Sequence, residues 1–191
     1  PQSNSQIVQP TESIAAAIEK ASPGAEILVE PGEYREQVVL KDGIRLVSRA
    51  PREATIRLPI TIPDADSSPA VVANGLSNAE LTGFRIVGDA ATPLGAGIAV
   101  TKSGLVINNV EISGAAKAGI DFGEGSSATL LGSSIHDNPG AAILVRSGAN
   151  PRVSNNVFNR NGMSERAPGN VMIEEGGKPI FQDNVFVGLS P

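Results

Sequence analysis

Several residue types are missing or scarce in this sequence of 191 residues, and each absence narrows the chemistry. There is no cysteine, no tryptophan and only one histidine. Without cysteine the chain forms no disulfide bond and has no thiol nucleophile or cysteine-based zinc site. One histidine without cysteine does not make a transition-metal site. The sequence therefore gives no basis for thiol catalysis or for a zinc centre.

Aromatic residues and positive charge are also scarce. Aromatic residues make up 3% of the chain and the net charge is −5. A nucleic-acid partner would call for a basic stripe, and no apolar run approaches the roughly 18 residues of a membrane span. We expect neither nucleic acid nor membrane as a partner. Because sugar-binding surfaces usually stack aromatic rings, the low aromatic content favours a protein or architectural role over sugar binding.

One pattern recurs between Gly97 and Phe186. Each copy has a short apolar strand, a second apolar residue, a small polar turn and a third apolar residue five positions after the second. Repeats of roughly 20–50 residues are typical of solenoids. The three equivalent sets are Ile98, Ile120, Ile143 and Val171; Ile107, Leu130, Val153 and Phe181; Ile112, Ile135, Phe158 and Phe186, with Val71, Leu81 and Ile86 as an upstream copy.

The lead strands show two-residue alternation, which predicts one face inward and one outward. A unit this small cannot bury its own apolar face, so copies must stack. Pairing each strand with its equivalent one coil later supplies the long connection that parallel strands need. The sequence predicts an all-β, right-handed parallel β-helix of about seven coils. The outward set of the lead strands is Ala99, Asp121, Leu144 and Met172.

A single domain is expected over residues 1–191, with a capping helix at 11–21 and coils from about 25 to 191. Thr11 or Ser13 can cap the helix, Glu12 suits its first turn, and Pro23 with Gly24 stops it. The helix is expected to cover the open end of the β-helix. Residues 1–10 are expected to fray, apart from Ile7 and Val8.

The other end of the β-helix has an apolar strand, Val185 to Val187, without a capping element. Either "GLSP" folds over it, or the protein continues or self-associates end to end there. The chain starts without Met, so we expect a mature form or part of a longer bacterial protein with attached domains. The compartment is undetermined, with an extracytoplasmic one slightly favoured.

The segment "SIAAAIEKASPGAEILVEPGEYREQVVL" resembles the opening of the pectin-lyase-like superfamily, also called the carbohydrate-binding and sugar-hydrolase domain. Pro31, Gly32 and Tyr34 match its "PG-x-Y" segment, and the "NNVF" and "DNVF" copies resemble its parallel β-helix repeats. The resemblance covers nearly the whole chain. It implies the β-helix fold, in a superfamily of lyases, hydrolases, epimerases, esterases and non-catalytic modules.

The superfamily's eliminating enzymes use a basic residue, often with calcium, and its hydrolases use paired carboxylates. This sequence has no Asp-Asp pair and no "DPHD"-type signature. Asp64 and Asp66 in "PDADSSP" are either calcium ligands or part of a polar turn. No cofactor is expected, with calcium kept as an open possibility.

The turn positions carry small or polar residues that tolerate a left-handed backbone, and stacked Asn side chains there can bond from coil to coil. They are Gly83, Asn109, Gly132, Asn155 and Asp183. We assign these residues a structural role.

One corner of the coil varies in length. It is long at residues 88–96 and 159–169 and tight at 113–119 and 136–142. Two long loops around a low floor predict a groove, and long loops on a solenoid often mark its binding face. Tolerated insertion is the alternative.

Polar residues near this groove are the candidate site. An acid beside Arg or Lys suits a sugar or uronate, because Arg presents two-pronged donors. Asp121 with Arg146 can equally be a surface ion pair. The binding candidates are Lys117, Asp121, His136, Asp137, Leu144, Arg146, Glu165 and Arg166, and the catalytic candidates are Asp121, His136 and Arg146.

Three functions follow. The leading one is a non-catalytic β-helix module that binds a carbohydrate or a protein through its strand faces and groove. The second is a lyase or hydrolase acting on acidic polysaccharides. The third is a purely structural spacer.

Overall fold

The computed structural model describes residues 5–62, 64–164 and 169–188. It contains one α-helix, α1 (Ile14–Lys20), and a 3-10 helix at Ala65–Ser67 among the described residues. The strands are β1 (Ser5–Val8), β2 (Glu26–Val29), β3 (Gly32–Arg35), β4 (Val38–Val39), β5 (Arg45–Ser48), β6 (Ala54–Arg57), β7 (Pro69–Asn74), β8 (Ala79–Thr82), β9 (Phe84–Val87), β10 (Leu94–Thr101), β11 (Leu105–Asn108), β12 (Glu111–Ser113), β13 (Ala115–Phe122), β14 (Thr129–Leu131), β15 (Ser134–His136), β16 (Ala141–Val145), β17 (Arg152–Ser154), β18 (Val157–Asn159), β19 (Val171–Ile173), β20 (Ile180–Gln182) and β21 (Val185–Val187).

These strands form three parallel sheets that wrap one core. Sheet A has the order β1-β2-β5-β8-β11-β14-β17-β20. Sheet B runs β3-β6-β9-β12-β15-β18-β21, and sheet C runs β4-β7-β10-β13-β16-β19. Each coil passes through A, B and C in turn, and each strand pairs with its equivalent one coil away. The expected β-helix of about seven coils is confirmed.

The three repeated apolar sets are also confirmed as register partners. Ile120 pairs with Ile98 and with Ile143, Leu130 with Ile107, and Ile135 with Ile112. All of these side chains are fully buried. Two-residue alternation therefore sets which side chains fill the core, and coil-to-coil pairing places like residues above each other.

The N-terminal side of the β-helix differs from expectation in two details. Ser5 and Gln6 were expected to fray, but they continue the strand of Ile7 and Val8, and Ser5–Val8 pairs with Glu26–Val29 as the first strand of sheet A. Helix α1 packs its Ile14 and Ile18 into the core as the expected cap. Its N-cap is Ser13, but the carboxylate at its first N–H groups is that of Glu36, at 2.7 Å and 2.9 Å, rather than that of Glu12.

The turn between sheets A and B uses two adjacent positions for two purposes. The predicted turn residues have positive φ, for example 56° at Asn155 and 58° at Gly132. The coil-to-coil ladder lies one residue later than predicted. The Ser133 N–H donates to Asn156 Oδ1 at 2.8 Å, and the Asn156 N–H donates to Asn184 Oδ1 at 3.0 Å. The side-chain amide of buried Asn156, not that of left-handed Asn155, links the coils.

Burial falls in the last described coil. Ile173 is 52% exposed, although alternation predicts that it faces inward, and Phe186 is 46% exposed although its equivalents are fully buried. The reason is that β19, β20 and β21 are the outermost strands of their sheets among the described residues. The segment "GLSP" falls mostly outside those residues.

The Asn ladder makes a testable contribution to stability. Asn156→Ala removes the acceptor of the buried Ser133 N–H and the donor to the Leu130 carbonyl. Leaving buried backbone groups unpaired should lower the free energy of unfolding by about 2–3 kcal/mol. Urea denaturation measures this. The exposed Asn150→Ala is the control and should change it by less than about 0.5 kcal/mol; equal effects would contradict the ladder's role.

Candidate functional site

The long loops lie at the corner between sheets B and C, but the first wall is not the predicted one. Residues 94–96, expected in a loop, belong to β10 and are buried. The long segments at this corner are 58–68, where Pro63 is not described, and 160–170, where 165–168 are not described. Between them the corner has six residues at 88–93, and a single residue, Gly114, joins β12 to β13. The 58–68 loop borders a cavity one coil earlier than the predicted first wall, and no described residue of 160–170 lines that cavity.

Gly95 explains why the earlier loop stands over sheet C. A Cβ on Gly95 would lie 2.3 Å from the carbonyl carbon of Ser67, so the loop backbone rests directly on the strand. The Gly95 and Ala96 N–H groups donate to the Ser68 carbonyl at 2.9 Å and 3.3 Å. Because Gly95 has no side chain, the 58–68 loop can pack directly against β10.

The outer face of sheet C below this wall contains an open cavity of about 350 Å³. Its floor is partly apolar, because Leu144 and Met172 are outward neighbours in β16 and β19. Two cations, Lys117 and Arg146, line it together with Asp66 and Ser67 of the loop. The described residues that line it are Asp66, Ser67, Ala116, Lys117, Leu144, Arg146 and Met172.

Arg146 is held by two carboxylates. Its Nε and Nη2 donate to Asp121 at 3.0 Å and 2.9 Å, and its Nη1 donates to Glu174 at 3.1 Å. The hydrogen bonds to Asp121 raise the pKa of Arg146. The Asp121 carboxylate is therefore occupied by a guanidinium. Lys117 is exposed and forms no salt bridge with any described residue, so it is the cation open to a ligand.

His136 and Asp137 were expected at the groove floor or its edge, and Asp137 lies at the corner 137–140 that joins β15 to β16. His136 ends β15 of sheet B, whereas Asp121 and Arg146 lie on or beside strands of sheet C. The His136 ring bonds to Asp137 at 2.7 Å and lies 3.7 Å from Glu111. Asp137 also accepts from Arg160 at 2.6 Å. The structure thus separates His136 from the Asp121–Arg146 pair.

The remaining candidates have different outcomes. Glu165 and Arg166 lie outside the described residues. Asp66 lines the cavity, and within the described ranges no group of three or more His, Asp or Glu side chains is placed to hold a metal. The prediction missed Ser67 and Glu174. The unusually long interval between Ile56 and Val71 was the signal for the first wall, which contains Ser67. The signal for Glu174 was its position two residues after outward Met172, beside Arg146.

Comparison with known proteins identifies the class. The family model described as "Right handed beta helix region" matches residues 69–190, which is more than half of the chain. The protein therefore belongs to this right-handed β-helix family. The resemblance to the pectin-lyase-like fold is confirmed. No curated protein matches the sequence.

Solved structures of three carbohydrate-related proteins share the fold. A candidate glycosyl hydrolase from Parabacteroides merdae ATCC 43184 is 14% identical, with a TM-score of 0.69, over 93% of this chain and 89% of that one. An alginate lyase from Paenibacillus sp. str. FPU-7 is 13% identical, with a TM-score of 0.62, over 95% and 76%. A pectin methylesterase in complex with a hexasaccharide is 14% identical, with a TM-score of 0.52, over 84% and 67%. At these identities the likeness shows the fold alone.

None of the described helices has the length and hydropathy of a membrane-crossing segment.

The Asp137 cluster predicts a pH effect. Hydrogen bonding to Arg160 lowers the pKa of Asp137 from 3.8 to about 2. A depressed carboxyl pKa stabilises the fold above pH 3.8, and this contribution is lost as the pH falls towards about 2. Because the Asp137 side chain is 43% exposed, the contribution should stay below about 1 kcal/mol.

Arg160→Ala should raise the pKa of Asp137 towards its ordinary value, as measured by carboxyl NMR titration. Arg152→Ala, which removes an exposed charge on sheet A, should leave it unchanged. An unchanged Asp137 pKa in Arg160→Ala would contradict the assignment of the cause.

Proposed function

We propose that the protein is a non-catalytic β-helix module that binds an extended acidic polysaccharide along the outer face of sheet C. The observation that carries this proposal is the cavity between the 58–68 loop and β19, with exposed Lys117 above an apolar floor. The fold shared with a candidate glycosyl hydrolase, an alginate lyase and a pectin methylesterase supports a carbohydrate ligand.

The shape of sheet C suits a linear ligand. Its outward row is stacked in register along the β-helix axis, so it offers a long and nearly flat surface. Val72, Ala99, Leu144 and Met172 contribute apolar area, and Asp121 is neutralised by Arg146. A polysaccharide has both apolar ring faces and polar groups, and this row meets both needs.

Charge, not ring stacking, supplies the selectivity in this proposal. Among the described residues, none that lines the cavity is aromatic. Lys117 therefore carries the attraction to a carboxylate, because the Arg146 guanidinium is already paired with Asp121 and Glu174. Attraction between exposed charges weakens with salt, so binding should fall as ionic strength rises.

Catalysis by a lyase or hydrolase is the second candidate, and one observation favours it. Asp66 and Lys117, a carboxylate and an ammonium group, line the same cavity. Against it, Asp121 is occupied by Arg146, and His136 belongs to the sheet B side. The residues first considered for acid–base chemistry therefore do not lie together in one site.

Binding to polygalacturonate, alginate and a neutral glycan, measured by isothermal titration calorimetry, tests the proposal. The two acidic polymers should bind and the neutral one should not. Lys117→Ala should weaken binding by roughly tenfold, which is about 1.4 kcal/mol. Arg152→Ala removes the same charge from sheet A and is the matched control, which should bind like the unmodified chain.

Three results would contradict the proposal. Formation of unsaturated or new reducing ends that Asp66→Ala or Lys117→Ala abolishes would establish the enzyme instead. No binding and no thermal stabilisation by any glycan would favour a structural spacer. An equal loss of affinity in Lys117→Ala and Arg152→Ala would show that binding does not depend on the groove and is only non-specific attraction between charges.

A further inference from the structure

Asparagine followed by glycine occurs twice in the chain, at Asn74-Gly75 and at Asn161-Gly162. Because glycine has no Cβ, the backbone nitrogen after the asparagine is unhindered and can reach the side-chain amide. The structure gives the two pairs opposite surroundings. We propose that Asn74 is a site of spontaneous modification by water, in which its amide becomes a carboxylate, and that the fold protects Asn161 from the same reaction.

Asn74 lies at the end of β7, where the chain turns from sheet C to sheet A. Asn74 and Gly75 are both exposed. A Cβ built on Gly75 would meet no atom within 4 Å, so there is open space at the residue whose nitrogen must attack. The Gly75 N–H has one backbone bond to release, to the Thr101 carbonyl at 3.1 Å. A single hydrogen bond at an exposed corner opens at low cost in free energy.

Asn161 is buried, with 3% of its surface exposed. Its side-chain amide donates to the Ile135 carbonyl at 2.8 Å and to Asn170 Oδ1 at 2.9 Å. The Gly162 N–H donates to two backbone carbonyls, and a Cβ on Gly162 would lie 2.2 Å from the nitrogen of Gly169. Attack at this position would require several buried hydrogen bonds to break together, which is costly. The second pair is therefore both locked and crowded.

The reaction needs no reactant other than water. The Gly75 nitrogen gives up its proton to solvent and bonds to Cγ of Asn74, and the Cγ–Nδ2 bond breaks as the nitrogen takes up a proton and leaves as ammonia. The product is a five-membered cyclic imide. Water that adds at Cγ opens the ring to aspartate, and water that adds at the main-chain carbonyl carbon opens it to isoaspartate. No group is oxidised or reduced.

Both products change the corner between β7 and β8. Each replaces a neutral amide by a carboxylate, so the net charge of −5 becomes more negative by one unit. In isoaspartate the main chain runs through Cγ and is one carbon longer just before Gly75. The Gly75 N–H donates to Thr101 of the next coil, and the Leu76 N–H donates to Ser103 Oγ at 3.0 Å. A longer main chain misaligns these bonds, so the modified chain should unfold at a lower temperature.

Peptide mass mapping of the folded 191-residue chain, kept at mildly alkaline pH and sampled over time, tests the proposal. Asn74 should convert at least about tenfold faster than Asn161, which is about 1.4 kcal/mol in activation free energy. In denaturing urea the two should convert at similar rates, because both are then flexible and followed by glycine. Asn74→Gln is the control. It keeps an amide at this position, should not convert, and should keep its unfolding temperature during the incubation.

Three results would overturn the proposal. The first is equal conversion of Asn74 and Asn161 in the folded chain. The second is conversion of both in urea with none at Asn74 in the folded chain, because the fold would then protect both. The third is a preference for Asn74 that persists unchanged in urea, because the local sequence and not the fold would then select the site.

Discussion

Hydrogen bonding between equivalent strands of successive coils is the constraint on which this structure depends. No coil buries its own apolar face, so each one is stable only when another lies against it. Parallel pairing brings Ile98, Ile120 and Ile143 into one column and Ile112, Ile135 and Phe158 into another. The same pairing aligns the outward residues, and a flat row on sheet C results. The proposed binding surface is therefore a consequence of how the core is stacked.

The core and its register were predictable because alternation and repetition act together. An apolar residue that recurs at the same position in each copy must lie on the inward face of its strand in every coil. The ladder of coil-to-coil hydrogen bonds was predicted one residue too early, and the reason is local. In "SNNVF" two asparagines are adjacent, and the sequence does not distinguish the left-handed Asn155 from the buried Asn156 that bonds to Ser133.

The groove was predictable only in part. Its floor and the Asp121–Arg146 pair followed from the outward positions, because register aligns neighbouring strands. The long interval between Ile56 and Val71 signals the loop of the first wall, but its place over sheet C does not follow from the sequence, since it depends on a backbone contact between Ser67 and Gly95. His136 was grouped with Asp121 because sequence spacing does not show how far the chain turns at a corner. The structure assigns them to different sheets.

Methyl NMR of the chain titrated with a polygalacturonate oligomer tests the central claim most directly. The account predicts shifts of the Leu144 and Met172 methyl groups, which line the cavity on sheet C. The methyl groups of Leu131, on the outer face of sheet A, should stay unchanged. Shifts at Leu131 without shifts at Leu144 and Met172, or no shifts at saturating oligomer, would contradict the assignment of sheet C as the binding surface.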